Sequence, residues 1–437
     1  MSALHNAIQS LKENIENAKP SDVRVGVDLN WPADKDLIDW FDAQPIFPKF
    51  YWQSRNAQQE TIALGQVRTF TDPSVAQSAL GEDQRIWGGR SFDGRTARNK
   101  RCMSSFFFLP QFEVSRVNNS WQLVANLCDD NSQLLSRLSR LTDNVMPLNA
   151  LKCNIISKQH APEFSDWSTM VNKALDGISN KIFEKVVLAR KTTLTLSHPL
   201  SSSQLLKASR ATNTDSFHFM MALDHKHCFI GSTPERLYVR NGSDIHTEAL
   251  AGTIGRGING QEDQKLASWL FNDEKNRYEN HLVVEDIVSR LNHHCSTVNV
   301  TKEPELVKLR KVQHLKRDIS GQLNSDFGDA SLLDSLQPTA AIAGLPREAA
   351  LNFIADHEPF ARGWYSGAVG FLSEHQSEFC VAIRSALVKE SELHLFAGAG
   401  IVPGSKADSE WQELDRKTST LYSLLEPELN LSEPRSA

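Results

Sequence analysis

The residues best suited to chemistry lie in the stretch FAGAGIVPGSKADSEWQELDRK near the C-terminus. Gly398 and Gly400 predict a loop whose backbone comes close to a ligand, because glycine has no Cβ to clash. The residues that follow have helical spacing, which places Glu410, Glu413 and Lys417 on one side. A loop and helix of this kind suit an anionic ligand bridged by a metal. A solvated helix face with one Glu/Lys ion pair explains the same spacing.

Lys185 and Glu235 are candidates for a general base and a general acid. Lys185 begins the apolar, strand-like run KVVLAR, where it is either exposed at the strand end or a buried amine. Burial disfavours the cationic form of an amine, so a buried lysine can accept a proton. Glu235 follows Pro234 in STPERL, between two predicted strands. It is paired with Arg236, or solvated, or an acid whose pKa is raised by an apolar pocket.

Three further residues suit an anionic or metal-bound ligand. Arg384 interrupts the buried-looking strand CVAIRSAL, and a buried arginine requires a carboxylate from the protein or from a ligand. Tyr365, which precedes a Ser-Gly pair, is a possible donor to the same anion. Glu279 lies in a long helix with several other acidic residues, and its spacing alone does not single it out.

Short strands and amphipathic helices would have to position these residues. Residues 3–18 carry the apolar stripe of a helix, and 46–128 contain short aromatic and β-branched runs that predict an antiparallel meander. From about residue 157 helices alternate with strands, and 272–294 predict a long helix. WYSGAVGFLS, EFCVAIRSALVKE and ELHLFAGAGIV predict three antiparallel strands. Together these elements predict an α+β fold around large antiparallel sheets.

The composition is that of an ordinary globular protein. The chain has 437 residues, of which 40% are hydrophobic and 23% charged, with a net charge of −6. This charge gives no reason to expect nucleic acid or an anionic membrane as a partner. Six scattered cysteines without a Cys-x-x-Cys pair indicate neither a zinc site nor a disulfide framework. Without an apolar signal core or a run of about 20 apolar residues, we expect a soluble, cytoplasmic protein.

Eight segments occur in one order along the chain, namely KVVLAR, STPERL, ALAGT, NDEKNRYENHLVVEDI, LQPTAAIAGLP, YSGAVG, CVAIRSAL and AGAGIVPGSKADSEWQELDRK. In this order they resemble the chorismate-utilising enzymes, which include anthranilate, aminodeoxychorismate, salicylate and isochorismate synthases. The resemblance covers residues from about 155 to 425, and FYWQSR and WGGRSFD extend it more weakly into the first half. It implies the fold of anthranilate synthase component I, with two packed antiparallel sheet layers and flanking helices. We expect an N-terminal part, 1–150, and a catalytic part, 151–437, within one structural domain.

The resemblance also implies a magnesium ion and a set of substrate contacts. Glu279 and Glu413 would hold Mg²⁺ against the ring carboxylate of chorismate, with Glu410 and Lys417 in or beside the metal shell. Carboxylates and water are the ligands that Mg²⁺ prefers. The substrate-binding residues that the resemblance implies are Arg384, Tyr365, Gly252, Thr253, Gly398, Gly400 and Lys417.

Lys185 and Glu235 decide which reaction the resemblance implies. Lys185 occupies the family's base position, where enzymes that use ammonia resemble one another in having glutamine. A lysine there implies activation of water, which adds at C2 of chorismate while Glu235 protonates the departing 4-hydroxyl. The product is isochorismate, and the enzyme is an isomerase. Mg²⁺ is expected to orient the ring and to favour the neutral lysine by like-charge repulsion.

Two features resemble the menaquinone-pathway isochorismate synthases more than other branches, namely the segment TEALAGT and Gln337, where much of the family has histidine. Asn280 after Glu279 departs from the usual Glu-His pair, which leaves the contacts around the metal open. The alternatives are a salicylate synthase, which goes on to eliminate pyruvate, a siderophore-pathway isochorismate synthase, and a non-catalytic chorismate-binding paralogue. Chorismate is the expected partner, without an amidotransferase subunit, in a monomer or weak homodimer.

Overall fold

A computed structural model describes residues 3–92, 104–143 and 145–425 of the chain. These residues contain eleven helices. In chain order the helices are α1 (Ala3–Glu16), α2 (Leu37–Ala43), α3 (Pro73–Ser78), α4 (Ser132–Leu138), α5 (Phe164–Ser179), α6 (Ser202–Thr212), α7 (Gly260–Asn272), α8 (Glu274–Leu291), α9 (Asp329–Leu336), α10 (Arg347–His357) and α11 (Ala407–Tyr422). None of these helices is long and apolar enough to cross a membrane.

The same residues contain 22 strands, and the first of them falls on a segment for which the sequence analysis made no prediction. In chain order the strands are β1 (Arg24–Asp28), β2 (Lys49–Gln53), β3 (Gln59–Leu64), β4 (Arg68–Phe70), β5 (Arg85–Arg90), β6 (Phe106–Leu109), β7 (Phe112–Val117), β8 (Ser120–Asn126), β9 (Ile155–Ala161), β10 (Lys185–Leu196), β11 (Phe217–Asp224), β12 (His227–Thr233), β13 (Arg236–Asn241), β14 (Asp244–Gly255), β15 (Cys295–Val300), β16 (Glu305–Lys308), β17 (Val312–Leu323), β18 (Gly344–Leu345), β19 (Ala368–Ser373), β20 (Gln376–Val381), β21 (Ser385–Lys389) and β22 (Glu392–Ile401).

The strands form two antiparallel sheets. One has 12 strands in the order β1-β8-β7-β3-β2-β11-β12-β21-β22-β10-β18, and β9 also pairs with β10. The other has 10 strands in the order β15-β17-β14-β13-β20-β19-β5-β6-β4, and β16 also pairs with β17. Strands from residues 1–150 lie in both sheets, beside strands from residues 151–437. Each sheet is therefore built from both parts of the chain.

An aromatic core fills the space between the two sheets. Phe50 of β2, in the 12-stranded sheet, packs against Trp87 of β5, in the 10-stranded sheet, with ring centroids 5.4 Å apart. Trp52 joins the same core, whereas Tyr51 points to the outer face and packs against Phe41 of α2. This is the alternation expected of a strand that is buried on both faces. The predicted α+β fold, with large antiparallel sheets in two layers and flanking helices, is confirmed.

Helix α8 carries one candidate residue and begins where the sequence predicts a long helix. The Asp273 carboxylate caps the helix by accepting a hydrogen bond from the Asn276 amide at 3.0 Å. The buried side of the helix includes Val284, Ile287 and Leu291, as the apolar spacing predicts. These contacts hold α8 against the 10-stranded sheet and leave Glu279 beside the cleft described below.

The chain passes between the sheets at two adjacent crossings. β12 lies in the 12-stranded sheet and β13 in the 10-stranded sheet, and Pro234 and Glu235 join them. β20 and β21 cross in the opposite direction through residues 382–384. Backbone hydrogen bonds tie the crossings together, from Val381 N to Glu235 O at 3.0 Å and from Ser232 N to Arg384 O at 3.1 Å. Two turning points of the chain therefore lie side by side.

The second crossing corrects one prediction. EFCVAIRSALVKE is predicted as a single strand, but it forms two strands that belong to different sheets. The chain turns at Arg384, whose φ is +49°, a conformation uncommon for residues other than glycine. The apolar residues on both sides of Arg384 resemble one buried strand because each half is buried in its own sheet.

The glycines near the C-terminus correct another prediction. Gly398 and Gly400 lie in β22, which pairs with β10 through both residues, so the predicted loop is wrong and the strand predicted for ELHLFAGAGIV is confirmed. The expected close approach is nevertheless present. A Cβ on Gly400 would lie 2.5 Å from Glu279 Oε1 and 3.0 Å from Lys185 Cε, so only glycine fits without a shift.

Candidate active site

A cleft of about 660 Å³, including its part open to solvent, lies beside the two crossings. Nine of the twelve candidate residues line the cleft, namely Glu235, Gly252, Thr253, Glu279, Tyr365, Arg384, Gly398, Gly400 and Lys417. Lys185, Glu410 and Glu413 each form an ion pair with a glutamate or lysine at or near this cleft. The structure therefore gathers the predicted residues around one site.

Lys185 is the buried amine of the site. It is the first residue of β10, paired with Leu345 of β18, and it is fully buried. Its Nζ lies 2.9 Å from Glu279 Oε1, close enough for an ion pair. Of the two alternatives that the sequence left open, the buried amine is correct and the exposed strand end is wrong.

Three lysines accompany the three candidate metal-binding carboxylates. Besides the Lys185–Glu279 contact, Lys417 Nζ lies 2.6 Å from Glu413 Oε1, and Lys275 Nζ lies 2.9 Å from Glu410 Oε1. Lys417 also donates a hydrogen bond to the Gly398 carbonyl of β22 at 2.8 Å, which ties α11 to the strand. Each carboxylate thus has its own cation. The simple solvated face that was one interpretation of this helix is wrong, because Glu410 is only 3% exposed.

The lysines set the charge state of the carboxylates. Burial alone would raise the pKa of Glu279, but the nearby charges of Lys185, Lys417 and Lys275 bring that pKa below its ordinary value. Burial and the charge of Glu413 raise the pKa of Glu410, against the opposing charge of Lys275. Glu279 is therefore held ionised.

The donor set suits a hard divalent cation. Within residues 3–92, 104–143 and 145–425, no three Asp, Glu, His or Cys side chains are close enough to enclose a metal by themselves. Mg²⁺ does not require such a cluster, because it keeps several waters and often takes one or two carboxylates together with groups of the substrate. Glu279 lines the cleft, and Glu413 contacts its lining residue Lys417. These oxygen ligands fit Mg²⁺.

The pKa of Glu235 is shifted in the opposite direction to that of Glu279. It lies at the first crossing with 4% of its surface exposed. Burial and the charge of Glu248 raise its pKa to about 8, and Lys185, Lys417 and Arg384 only partly oppose this rise. Arg236, a possible partner in the sequence, pairs instead with Glu378 at 2.9 Å. Glu235 is therefore protonated at neutral pH.

Arg384 projects from the second crossing into the cleft. Burial lowers its pKa to about 10, partly offset by the charge of Glu413. Among the described residues its side-chain donors reach Thr420 Oγ1 at 3.2 Å and His314 Nε2 at 3.4 Å, which are not carboxylates. The requirement for an anion is thus left for a ligand to meet.

The sequence analysis missed His314 and Lys275. His314 Nδ1 lies 2.9 Å from Thr253 Oγ1, so the imidazole links Thr253 to Arg384. Burial, with the charges of Arg384 and Lys417, keeps the pKa of His314 well below its ordinary value. A signal for Lys275 was available, because it lies four residues before Glu279 on one helix. His314 gave no comparable signal, because it lies in the largely polar strand VQHLKRDISGQL.

Tyr365, Gly252 and Asn280 complete the walls. Burial raises the pKa of Tyr365 to about 12, and a Cβ on Gly398 would lie 2.9 Å from its hydroxyl. Gly252 has a φ of +85° at the point where the register of β14 shifts. Asn280 is buried and donates to the carbonyls of Ala249, Ala251 and Leu315, so it fastens α8 to this irregular part of β14.

Comparisons with known proteins agree with this geometry. Isochorismate synthase MenF of Escherichia coli (strain K12) is 40% identical over 439 aligned positions, covering 98% of this chain and 99% of that protein. The solved structure of MenF, the menaquinone-specific isochorismate synthase from Escherichia coli, aligns with a TM-score of 0.90 and 38% identity, over 97% of this chain and all of that one. Anthranilate synthase component I from Streptococcus pneumoniae TIGR4 shares the fold, with a TM-score of 0.63 and 20% identity, over 92% of this chain and 93% of that one. The profile of the family described as "Chorismate binding enzyme" matches residues 11–426, so this chain belongs to the chorismate-binding enzymes.

Proposed function

We propose that this protein is an isochorismate synthase, an isomerase that adds water at C2 of chorismate and expels the 4-hydroxyl. The observation that carries the proposal is a pair of groups: a carboxyl lining the cleft, Glu235, whose pKa of about 8 keeps it protonated, and a buried amine, Lys185, which lies 2.9 Å from the cleft-lining Glu279. The reaction requires both a proton acceptor for the attacking water and a proton donor for the departing hydroxyl. Likeness to an enzyme described as menaquinone-specific supports menaquinone biosynthesis as the pathway.

Glu235 supplies the proton in this proposal. The C4–O bond breaks as the double bond shifts, and the hydroxyl takes the carboxyl proton to leave as water. The proton that Lys185 removes from the incoming water restores the balance, so the reaction as a whole only moves a hydroxyl group. The buried position of Glu235 keeps its proton available at neutral pH, where an exposed glutamate would have lost it.

Lys185 accepts the proton in this proposal as the neutral amine, the form that a Mg²⁺ ion held by Glu279 would favour by like-charge repulsion. Its Nζ is fixed between β10, β22 and α8, and Gly400 provides the space that its chain and Glu279 share. Glutamine at this position could not accept the proton, which is the physical reason for linking lysine to water as the nucleophile.

Glu279 and Glu413 would hold Mg²⁺, with Glu410 beside them. When bound, the ion neutralises the ring carboxylate of chorismate and orients the ring. Arg384 and Tyr365 then have the positions and donors to bind the enolpyruvyl carboxylate, with backbone groups at Gly398 and Gly400. The other contacts that we propose for the substrate are Gly252, Thr253 and Lys417.

Product analysis tests the proposal. We expect purified protein incubated with chorismate and Mg²⁺ to form isochorismate, and to form none after the metal is removed with a chelator. Salicylate with pyruvate would keep the site but replace the reaction by that of a salicylate synthase. Chorismate bound without any product would favour a non-catalytic binding protein. We expect activity without an amidotransferase subunit, in a monomer or weak homodimer, which size measurement alongside the assay checks.

A further inference from the structure

The backbone around Glu235 is unusually well held for a connection between strands. The Glu235 amide donates to Thr233 Oγ1 at 3.3 Å, and its carbonyl accepts from Val381 N at 3.0 Å. Both partners belong to the crossings themselves. The two peptide groups on either side of Glu235 need partners from elsewhere, because β13 and β14 pair only between Val239 and Asn241 on the β13 side.

Arg55 and Glu248 provide those partners. Arg55 Nη1 donates to the carbonyl of Pro234 at 2.8 Å, and Glu248 Oε1 accepts from the amide of Arg236 at 2.9 Å. Arg55 Nη1 also lies 2.6 Å from the same Glu248 oxygen. The two side chains and the peptides flanking Glu235 thus form one continuous set of hydrogen bonds.

Glu248 accepts a hydrogen bond where the backbone pairing between β13 and β14 has ended. Beyond the last β13–β14 backbone pair, Thr247 Oγ1 donates to the Leu237 carbonyl at 2.6 Å, and Glu248 then receives the Arg236 amide. Side chains of two consecutive β14 residues therefore replace backbone hydrogen bonds. The segment TEALAGT, which helped to place the sequence in its branch, gains a physical role.

The charges around this segment are balanced in pairs. The groups that face Glu235 are Glu248 of β14, Lys185 of β10, Lys417 of α11 and Arg384 of the second crossing. Arg55 neutralises Glu248, whose side chain is 1% exposed, so a charged glutamate can lie near Glu235 without remaining an unpaired buried charge. The neighbouring Arg236 and Glu378 form a separate ion pair, with Arg236 Nη2 2.9 Å from Glu378 Oε1.

We propose that Arg55 and Glu248 are positioning residues that hold the peptide groups on both sides of Glu235 and so fix its carboxyl in the cleft. This inference rests on the proposed role of Glu235 as proton donor. Arg55 belongs to the segment FYWQSR of the first 150 residues, so the N-terminal part of the chain would contribute directly to catalysis.

The test compares pH–rate profiles of three variants. In Glu248→Gln the amide oxygen can still accept from Arg236, but the negative charge is gone. The pKa of Glu235 should then fall, and the loss of kcat at high pH should begin about 1 pH unit lower. Arg55→Met leaves Glu248 without its cation, so the same limb should move to higher pH. We expect kcat to fall by up to about 100-fold in Arg55→Met, with KM changed much less.

Arg55→Lys tests whether the charge alone suffices and also serves if Arg55→Met fails to fold. It should restore the position of the high-pH limb, while kcat stays reduced because the shorter lysine side chain does not place its amine where Arg55 Nη1 contacts both Pro234 and Glu248. Arg85→Met is the matched control. Arg85 Nη2 lies 2.7 Å from a carboxylate oxygen of the buried Glu113, and neither residue lines the cleft. This substitution should lower the melting temperature and leave the pH profile unchanged.

The outcomes separate this inference from the proposed function. Full activity in Glu235→Gln would overturn the role of Glu235 itself. An inactive Glu235→Gln would leave that role intact, and the positioning pair would be overturned if folded Glu248→Gln had an unshifted limb and folded Arg55→Met or Arg55→Lys had wild-type kcat. Shifts of the limb in the same direction in Glu248→Gln and Arg55→Met would also contradict it.

Discussion

Two glutamates that line the cleft differ in the direction of their pKa shifts. Both are shielded from water, yet Glu279 has a pKa below its ordinary value and Glu235 has one of about 8. Glu279 is in contact with Lys185, whereas Glu235 lies near the negative charge of Glu248. The comparison teaches that the neighbours decide whether a buried carboxyl becomes an anion that can bind a cation or an acid that can give up a proton.

Lys185→Ala should have the largest effect, because it removes both the proposed base and the cation nearest Glu279. We expect kcat to fall by about 10²- to 10⁴-fold. Chorismate binding, measured by calorimetry, should be largely retained. Lys191→Ala, on the same strand, is the control and should remain near wild type. Wild-type turnover in Lys185→Ala would remove the base from the proposed mechanism.

Glu413→Gln removes one of the two carboxylates that are proposed to hold Mg²⁺. Loss of one carboxylate should weaken Mg²⁺ binding by about 10- to 100-fold, as measured by titration of the folded protein with the metal. Asp415→Asn is a suitable control, because Asp415 lies on the same helix but pairs with Arg190. An unchanged titration in Glu413→Gln would place the metal elsewhere.

The pH dependence of the wild-type rate tests whether Glu235 is the proton donor. Because the pKa of Glu235 is raised to about 8, the proton donor is present at neutral pH and is lost as pH rises through that value. We expect kcat to fall by about tenfold per pH unit above it. In Glu235→Gln this limb should disappear from any residual activity. A wild-type rate that stays constant up to pH 10 would contradict the assignment.

Lys275→Met should have the smallest effect and sharpens the comparison. In this variant Glu410 loses the cation whose Nζ lies 2.9 Å from its carboxylate, so the surroundings of the proposed metal site become more negative. We expect Mg²⁺ affinity to rise roughly fivefold, equivalent to about 1 kcal/mol. Lys226→Met, which breaks an exposed pair with Glu390, should leave the titration unchanged. Weaker metal binding in Lys275→Met would show that this lysine supports the site rather than competing for it.

Sequence patterns predicted the architecture because it depends on local periodicity. Helix α8 followed from its apolar spacing, and the short aromatic runs predicted the meander. At Gly398 and Gly400 the strand pattern was right and the loop predicted from the glycines was wrong, since glycine is rare in strands unless another group approaches closely. Here that group is the Lys185–Glu279 pair, which no local pattern reveals.

The site was only partly accessible from sequence. Residue types and resemblance selected Lys185, Glu235 and Glu279, but not the ion pairs that set their charges. Lys275 pairs with a glutamate 135 positions away on another helix, and spacing within one helix cannot specify that contact. The break at Arg384 was hidden for a similar reason, because both strands around it are apolar.

The paired crossings have a consequence for where the molecule can tolerate change. Glu235 and Arg384 lie where two adjacent chain segments turn from one sheet to the other, a place we call the crease. Backbone hydrogen bonds join the two segments there. A single inserted residue at this crease would rotate one functional group away from the other and reverse the inward and outward faces of the strand beyond it. Loops at the outer edge strands, such as those bordering β1 and β15, carry no such constraint. Length variation among descendants of this chain should therefore accumulate at the rims of the sheets, while the crease keeps a fixed residue count.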